Sequence, residues 1–421
     1  MTAAPDVLVV GASAAGLATA EALRRKGHTG GLTLLGDEPH PPYDRPPLSK
    51  QVLAGTWQPE RARLRTPELL DGLGATFVLG DPAVSLDPVA RTVRTASGTV
   101  LRADVVVLAT GVRPRVLPDQ AGLAGVHVLR TLDDAAALRA ALLTGGRLVV
   151  VGDGVLGAEV AATACGLGLD VTLAGPQRAP LEARLGSLVS GVLADLHRER
   201  GVRLRLGAAV AGLAGRDGRV TGVRLDTGEV LPADVVVVAL GAIPNTGWLA
   251  GSGLRLDDGV VCDARCRAAD GIYAAGDVAR WHHEGLGGLL RLENRTNATE
   301  QAVAVADDIL GAGRPYAPVP YFWTDQFDAR VQVHGVLAPG ASVSVVDGDV
   351  AVRRFVALYE RDGEAVGVLG WNMPRQARAL RQRLLGQLRD FAGSHVEPGK
   401  VEEAGFRRAP RSRTDFSEGQ R

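Results

Sequence analysis

Asp6-Val-Leu-Val-Val-Gly-Ala-Ser-Ala-Ala-Gly16 opens with a short β-branched apolar run and continues into a turn of small residues. An amphipathic stretch from Leu17 to Lys26 follows with helical spacing, so the passage reads as strand, tight turn and helix. A second apolar run, Leu32-Thr-Leu-Leu35, ends in Gly36-Asp37-Glu38, an acidic pair about 21 residues beyond Gly16. One βαβ unit is therefore complete by Glu38, and units of this kind gather ligands at the carboxyl ends of their strands.

The pattern returns at Arg147-Leu-Val-Val-Val151. There Gly152-Asp-Gly-Val-Leu-Gly157 opens a helix through Glu159 to about Gly166, and a strand follows over Asp170-Val-Thr-Leu173. A second echo sets Ala103-Asp-Val-Val-Val-Leu-Ala-Thr-Gly-Val-Arg-Pro114 beside Ala233-Asp-Val-Val-Val-Val-Ala-Leu-Gly-Ala-Ile-Pro244. The chain thus contains two related dinucleotide-binding units. Their glycine turns suit a pyrophosphate, because missing side chains let the backbone approach while the helix N-terminus offers free N–H groups. The first turn carries Ser13 at the middle glycine position; the second keeps Gly152, Gly154 and Gly157.

Asp37 or Glu38 is placed to accept from ribose hydroxyls, whereas the matching place in the second unit reads Gly175, then Pro176-Gln-Arg178. A carboxylate there would repel a 2′-phosphate, since two unit charges 4 Å apart are worth about 4 kcal/mol at an effective dielectric of 20. Arg178 either meets a 2′-phosphate or lies in solvent, and both NADH and NADPH stay open.

The 421 residues allow about three domains, and 46% hydrophobic with 22% charged content is globular. Forty-seven basic residues cancel 47 acidic ones, which excludes a bulk electrostatic pull toward nucleic acid or an anionic membrane. Only Lys26, Lys50 and Lys400 are lysines. Cys165, Cys262 and Cys266 are too few for a disulfide framework and lack a second pair for zinc, and His282-His283 lacks further ligands, so no metal is expected. With neither a basic-apolar leader nor a run of ~18 apolar residues, the chain reads as soluble and cytoplasmic. After the proline-rich Pro315–Pro320 linker, strands over Val331–His334, Phe355–Tyr359 and Ala365–Leu369 and a helix from about Arg375 to Leu388 predict an α+β domain. From Pro398 the polar, basic tail reads as mobile.

Four stretches carry a family resemblance: Gly36-Asp-Glu-Pro-His-Pro-Pro-Tyr-Asp-Arg-Pro-Pro-Leu-Ser-Lys50, Ala109-Thr-Gly-Val-Arg-Pro114, Gly271-Ile-Tyr-Ala-Ala-Gly-Asp-Val278 and Tyr321-Phe-Trp-Thr-Asp-Gln-Phe327. Over residues 5–390 the chain resembles the FAD-dependent ferredoxin reductases of the putidaredoxin-reductase-like and aromatic-dioxygenase-reductase-like group. The resemblance implies an α/β fold of two Rossmann-like domains, the second inserted in the first, plus a C-terminal α+β domain. FAD binding falls to 1–112 and 244–315, NAD(P) binding to 113–243, the C-terminal domain to 316–397 and the tail to 398–421.

By the same likeness, Gly11, Ser13, Ala14, Ala15 and Gly16 hold the FAD pyrophosphate, Asp37 the adenosine ribose, and Ala83 lies near the adenine. Arg45, Ala109, Thr110, Gly111 and Gly276 join the FAD site, with Arg130 near the cofactor phosphates and Asp277 on the ribityl chain. Gly152, Gly154, Val155, Gly157, Arg178 and Gly241 fall to NAD(P). Lys50 sits by the flavin and pairs with Glu159, the two catalytic candidates. Where the family reads Arg-x-Glu-His-Trp-x-Asn this chain reads Arg291-Leu-Glu-Asn-Arg-Thr-Asn297. Glu293 persists, Asn294 and Arg295 depart, and Arg295 either touches the flavin site or points to solvent. Trp323 lies at the flavin edge, on a docking face, or in the core.

Disulfide reductases of this fold carry two cysteines beside the flavin, and Pro46-Pro-Leu-Ser-Lys50 holds none. Electrons then leave the flavin directly, because it accepts them in pairs and releases them singly. The implied partner is a [2Fe-2S] ferredoxin serving a haem-thiolate mono-oxygenase or a Rieske oxygenase, met by a monomer or weak homodimer. Arg65, Arg295, Arg330 and Arg375 are docking candidates. A small-molecule oxidant, or a redox-sensing role without turnover, are the other readings.

Overall fold

In the computed structural model, residues 4–337 and 340–393 are described. Two parallel sheets follow from the two sequence echoes. In the first, Val7–Val10 lies between Leu32–Leu35 and Val105–Leu108, flanked by Thr76–Val78 and Ile272–Ala274, with Arg267–Ala269 antiparallel at the edge. In the second, Arg147–Val151 lies between Asp170–Gly175 and Val235–Val238, flanked by Arg203–Leu206 and Val126–His127. Every residue of Val7–Val10 and Val235–Val238 is buried, the pattern of strands covered on both faces.

The first core joins residues before Ala109 to residues after Leu249, so the chain leaves this unit and comes back to it. Between these passages the second unit builds its own cores. One of them takes in Tyr43, Leu48, Val52, Leu53 and Ala62 from the first passage, which lays the Pro46–Lys50 segment across the junction of the units.

The third part is a five-stranded antiparallel sheet in the order Tyr321–Gln326, Ala329–Gly335, Glu364–Trp371, Arg354–Arg361, Ser342–Asp349. One face, with Val331, Val333, Phe355, Ala357 and Trp371, packs on Leu185, Val189, Leu193 and Leu196 of the helix Glu182–Glu199. The other face packs Val356, Leu358 and Val368 under Ala377 and Leu384 of the helix Pro374–Gly393. The Pro315–Pro320 connection is anchored: Tyr316 is buried, and its carbonyl accepts from Trp281 Nε1 at 2.9 Å.

Several sequence expectations need correction. The first helix starts at Ala14 rather than Leu17, because Ala14-Ala15-Gly16 carry no hydrophobic period. Two strands of the last sheet, Tyr321–Gln326 and Ser342–Asp349, are not foreseen; the second is a largely exposed edge strand whose Ser342-Val-Ser-Val345 alternation breaks off at Val346-Asp347. Register also shifts one match between the units. Val10 pairs with Leu35 and Val151 with Ala174, so Gly175 corresponds to Gly36, and Pro176 stands where the first unit has Asp37. The expected mobile tail, 398–421, lies outside the described residues.

Candidate functional site

Both glycine turns are forced by close approach. Gly11 (φ 118°) and Gly152 (φ 115°) hold conformations that favour glycine, and a Cβ on either would run into the carbonyl of Ala109 or Ala239. Gly16 and Gly157 lie beneath the turns, where a Cβ would strike the Gly11 and Gly152 carbonyls. The turns therefore present bare backbone at the sheet ends.

A chain of three adjoining cavities connects them. The first, about 300 Å³, runs from Gly11 and Ser13 past Asp37 and Glu38 to Ala83 and Trp248. The second, about 360 Å³, shares Asp37, Glu38, Arg45, Ala109 and Thr110 with it and adds Ala14, Ala15, Gly111, Arg130, Gly276, Asp277 and Arg295. The third, about 350 Å³, keeps Arg45, Arg130 and Asp277 and reaches Lys50, Glu159, Glu293, Asn294 and Trp323, then Gly154, Val155 and Gly241 of the second unit. Arg178 is exposed and lines none of the three. No cysteine lines them either; Cys262 and Cys266 are buried in the first core.

The walls are electrostatically ordered. Arg45 donates to Glu38 Oε1 at 2.6 Å and to the Arg130 carbonyl at 2.6 Å, and Tyr43 donates to Glu38. Burial pushes the Tyr43 phenol upward against the opposing charge of Arg45. Glu38 is thus engaged by protein groups, while its neighbour Asp37 is exposed on the cavity rim. Arg130 pairs with Asp277 at 3.1 Å; burial raises the Asp277 carboxyl, and Arg130 opposes that. Arg295, left open between cavity and solvent, donates to Asp44 Oδ1 at 2.6 Å and to Thr299 on one wall. Asn294 caps the helix Arg295–Ile309 by accepting from the Asn297 N–H at 2.7 Å.

Lys50 emerges from a π-helical turn, Leu48–Val52, in which the Val52 N–H reaches back to the Pro47 carbonyl at 2.9 Å. Its Nζ lies 2.7 Å from Glu159 Oε2, and the two side chains are 14% and 6% exposed, so this is a buried pair rather than a surface contact. Ser49 Oγ donates to the same Oε2 at 2.6 Å, and Thr324 Oγ1 donates to Oε1 at 2.9 Å. Behind Thr324 stand Gln326 and His197, both buried. Sequence reasoning missed Ser49, Thr324, Gln326 and His197. The available signal was two polar residues at alternate positions of Tyr321–Gln326, which share one face of a strand.

The docking candidates do not come together as a set. Arg65 pairs with Glu21 at 2.6 Å and Arg295 with Asp44, whereas Arg330 is exposed and 3.6 Å from Asp325, and Arg375 is exposed. Trp323 lines the third cavity and stacks on Tyr321 at 6.0 Å between centroids. His283 is buried on the Pro318 carbonyl, and no group of three or more His, Cys, Asp or Glu that could hold a metal occurs among the described residues. No helix among them is long and apolar enough to cross a membrane.

Two glycine-turn sheets sharing one run of cavities define a two-dinucleotide-fold oxidoreductase. The pyridine nucleotide-disulphide oxidoreductase family matches residues 5–302 and the reductase C-terminal family residues 321–394, and the chain belongs to the first by that match. It is 38% identical over 385 residues to rhodocoxin reductase of Rhodococcus erythropolis, covering 91% of this chain and 90% of the relative. It is 37% identical over 386 residues to the ferredoxin–NAD(+) reductase component of the anthranilate 1,2-dioxygenase system of Burkholderia cepacia, covering 91% and 94%. The crystal structure of the covalent putidaredoxin reductase–putidaredoxin complex superposes with a TM-score of 0.87 at 34% identity, covering 92% of this chain and 94% of that one.

Proposed function

We propose that this chain is an FAD-dependent NAD(P)H:ferredoxin oxidoreductase. The carrying observation is the buried Lys50–Glu159 pair in the wall of a cavity that reaches the second glycine turn, adjoins the cavity of the first, and holds no thiol. The relatives support the reading, since several are named as ferredoxin–NAD(+) reductase components of dioxygenase systems.

The residues present fit FAD. Bare backbone at Gly11 receives a pyrophosphate, Asp37 on the rim accepts from ribose hydroxyls, Ala83 leaves room at the adenine end, and the Arg130–Asp277 pair flanks the middle. When bound, the flavin supplies the conversion of a two-electron donor into single-electron steps. The protein's part is positioning: Gly152, Gly154 and Val155 seat the nicotinamide nucleotide, and Lys50 places a positive charge on the cavity wall. Residues 1–112 with 244–315 serve FAD, 113–243 serve NAD(P)H, and the antiparallel sheet closes the third cavity with Phe322 and Trp323. The acceptor is a [2Fe-2S] ferredoxin of a haem-thiolate or Rieske oxygenase system. The reductase acts in the cytoplasm as a monomer or weak homodimer, without nucleic acid.

Anaerobic stopped-flow reduction of the yellow holoprotein by NADH and by NADPH, then mixing with a panel of [2Fe-2S] ferredoxins, tests this. Fast reduction and fast ferredoxin-dependent reoxidation are expected. Fast reduction with reoxidation only by oxygen or quinones overturns the ferredoxin step, and a protein without flavin overturns the whole reading.

A further inference from the structure

Glu159 accepts three hydrogen bonds, and the third comes from the C-terminal sheet. Thr324 Oγ1, fully buried, donates to Glu159 Oε1 at 2.9 Å, while Lys50 Nζ and Ser49 Oγ take Oε2 at 2.7 and 2.6 Å. A carboxylate only accepts, so the single hydroxyl hydrogen of Thr324 is committed to Glu159. Thr324 must then accept from Gln326, whose Nε2 lies 3.0 Å away. That orientation turns Gln326 Oε1 toward His197 Nε2, 2.8 Å distant, and requires the tautomer protonated at Nε2. His197 Nδ1 is buried without a partner, and Phe327 meets the ring edge to face at 5.2 Å. Burial lowers the tendency of His197 to take a second proton.

The other face of the same strand carries a rival. Asp325, adjacent to Thr324, leaves Oδ1 buried without a hydrogen-bond partner, with Arg330 Nε at 3.6 Å, and Lys50, then Arg330, are the charges acting against its burial. Lys50 lines both the inner cavity with Glu159 and an outer, open one of about 900 Å³ with Asp325 and Arg330. Two carboxylates therefore compete for one ammonium, one inside and one outside.

We infer that His197, Gln326 and Thr324 form a one-way chain of hydrogen-bond donors that fixes Glu159, and thereby holds the Lys50 ammonium on the inner cavity rather than on Asp325. They are positioning residues: none of them lines the inner cavity. The donor chain needs nothing from the proposed function; its consequence for flavin reduction rests on that reading.

With only three lysines in the chain, ¹⁵N-lysine labelling of the full-length holoprotein gives three Nζ signals, assigned with Lys26→Arg and Lys400→Arg. The buried Lys50 NζH₃⁺ signal is expected to exchange slowly with water. In Thr324→Val it should exchange at least tenfold faster. Thr324→Ser should restore the wild-type signal, and Thr324→Val/Asp325→Asn should return much of the protection by removing the rival. Flavin reduction by NAD(P)H should slow in kcat, with little change in KM. Gln326→Met reads the chain one step back and should show the same direction if Thr324→Val does not fold. Wild-type exchange of the Lys50 signal in folded Thr324→Val or Gln326→Met overturns the inference. A shifted Lys50 signal in a protein that reduces no ferredoxin leaves it standing and overturns only the proposed acceptor.

Discussion

The carboxylate of Asp153 fills the space that a side chain at Gly175 would need: a Cβ there would overlap it. In the first unit the equivalent neighbours are Ala12 and Gly36, and the acid, Asp37, comes after the strand. In the second unit the acid sits on the glycine turn itself, and Gly175-Pro-Gln177 carries none. Asp153 accepts from the Gln177 N–H at 2.8 Å and from Gln177 Nε2 at 2.5 Å, which leaves acceptor capacity on both oxygens and keeps a negative charge at the strand end. NADH is therefore expected to be used in preference to NADPH. Asp153→Asn should raise the NADPH/NADH ratio of kcat/KM by about tenfold or more, since a unit charge near a 2′-phosphate is worth up to about 4 kcal/mol at 4 Å. Equilibrium binding of NAD⁺ and NADP⁺ should follow the same ratio. Gly175→Glu alone should weaken both nucleotides through the clash, and Asp153→Gly/Gly175→Glu should recover NADH preference.

Removing one partner of the Lys50–Glu159 pair leaves a buried charge. With exposures of 14% and 6%, Lys50→Met should cost about 3 kcal/mol of stability, because Ser49 and Thr324 alone then serve the carboxylate. Lys50→Met/Glu159→Leu should regain most of that stability while flavin reduction stays slow. Chemical denaturation of the wild-type holoprotein and the two variants checks the first part and stopped-flow reduction the second. Full stability in Lys50→Met would show that water reaches Glu159.

How far the sequence reached depends on whether a feature was local. The β-branched runs Val7–Val10 and Arg147–Val151 and their glycine turns were legible because strand, turn and helix follow one another within a few residues. The Lys50–Glu159 pair came from family likeness, since no local pattern joins positions so far apart. The His197–Gln326 contact spans 129 positions, and only the seating of the last sheet on helix Glu182–Glu199 creates it. The Gly175 match slipped by one because strand ends look alike in sequence, whereas the Val151–Ala174 pairing settles the register. Ser342–Asp349 escaped notice because its Ser-Val-Ser-Val alternation lasts only four residues before Val346-Asp-Gly-Asp349 on an exposed edge.

Asp37 and Glu38 were interchangeable in sequence and are not in space. Glu38 is held by Arg45 and Tyr43, while Asp37 is exposed on the cavity rim. Asp37→Ala should therefore weaken FAD binding by about tenfold, the worth of a lost hydrogen bond, and leave apoprotein unfolding unchanged. Glu38→Ala should lower apoprotein stability as well, because the half-buried Arg45 guanidinium loses its carboxylate. FAD titration of apoprotein by fluorescence quenching, beside apoprotein melting, separates the two. Equal melting losses would mean that the Glu38–Arg45–Tyr43 cluster does not brace the apoprotein.

Acid should destabilise the protein from near neutrality downward. His334 is buried against Tyr321 at 4.8 Å with neither ring nitrogen partnered, and burial together with Arg381 and Arg378 pulls it down from 6.5 to about 4. Burial lowers His28, His127, His197 and His283 in the same direction. A group whose folded pKa lies below its unfolded value binds more protons when unfolded, so its neutral form supports the fold above about pH 6.5, and that support is lost as pH falls toward 4. Between pH 7.5 and 5.0 His334 should account for about 1–2 kcal/mol of lost stability, the lower figure allowing for solvent screening. His334→Gln should melt with a shallower pH dependence over that range and match wild type most closely at the acid end. An unchanged slope would assign the acid loss to the other four histidines or to the carboxylates.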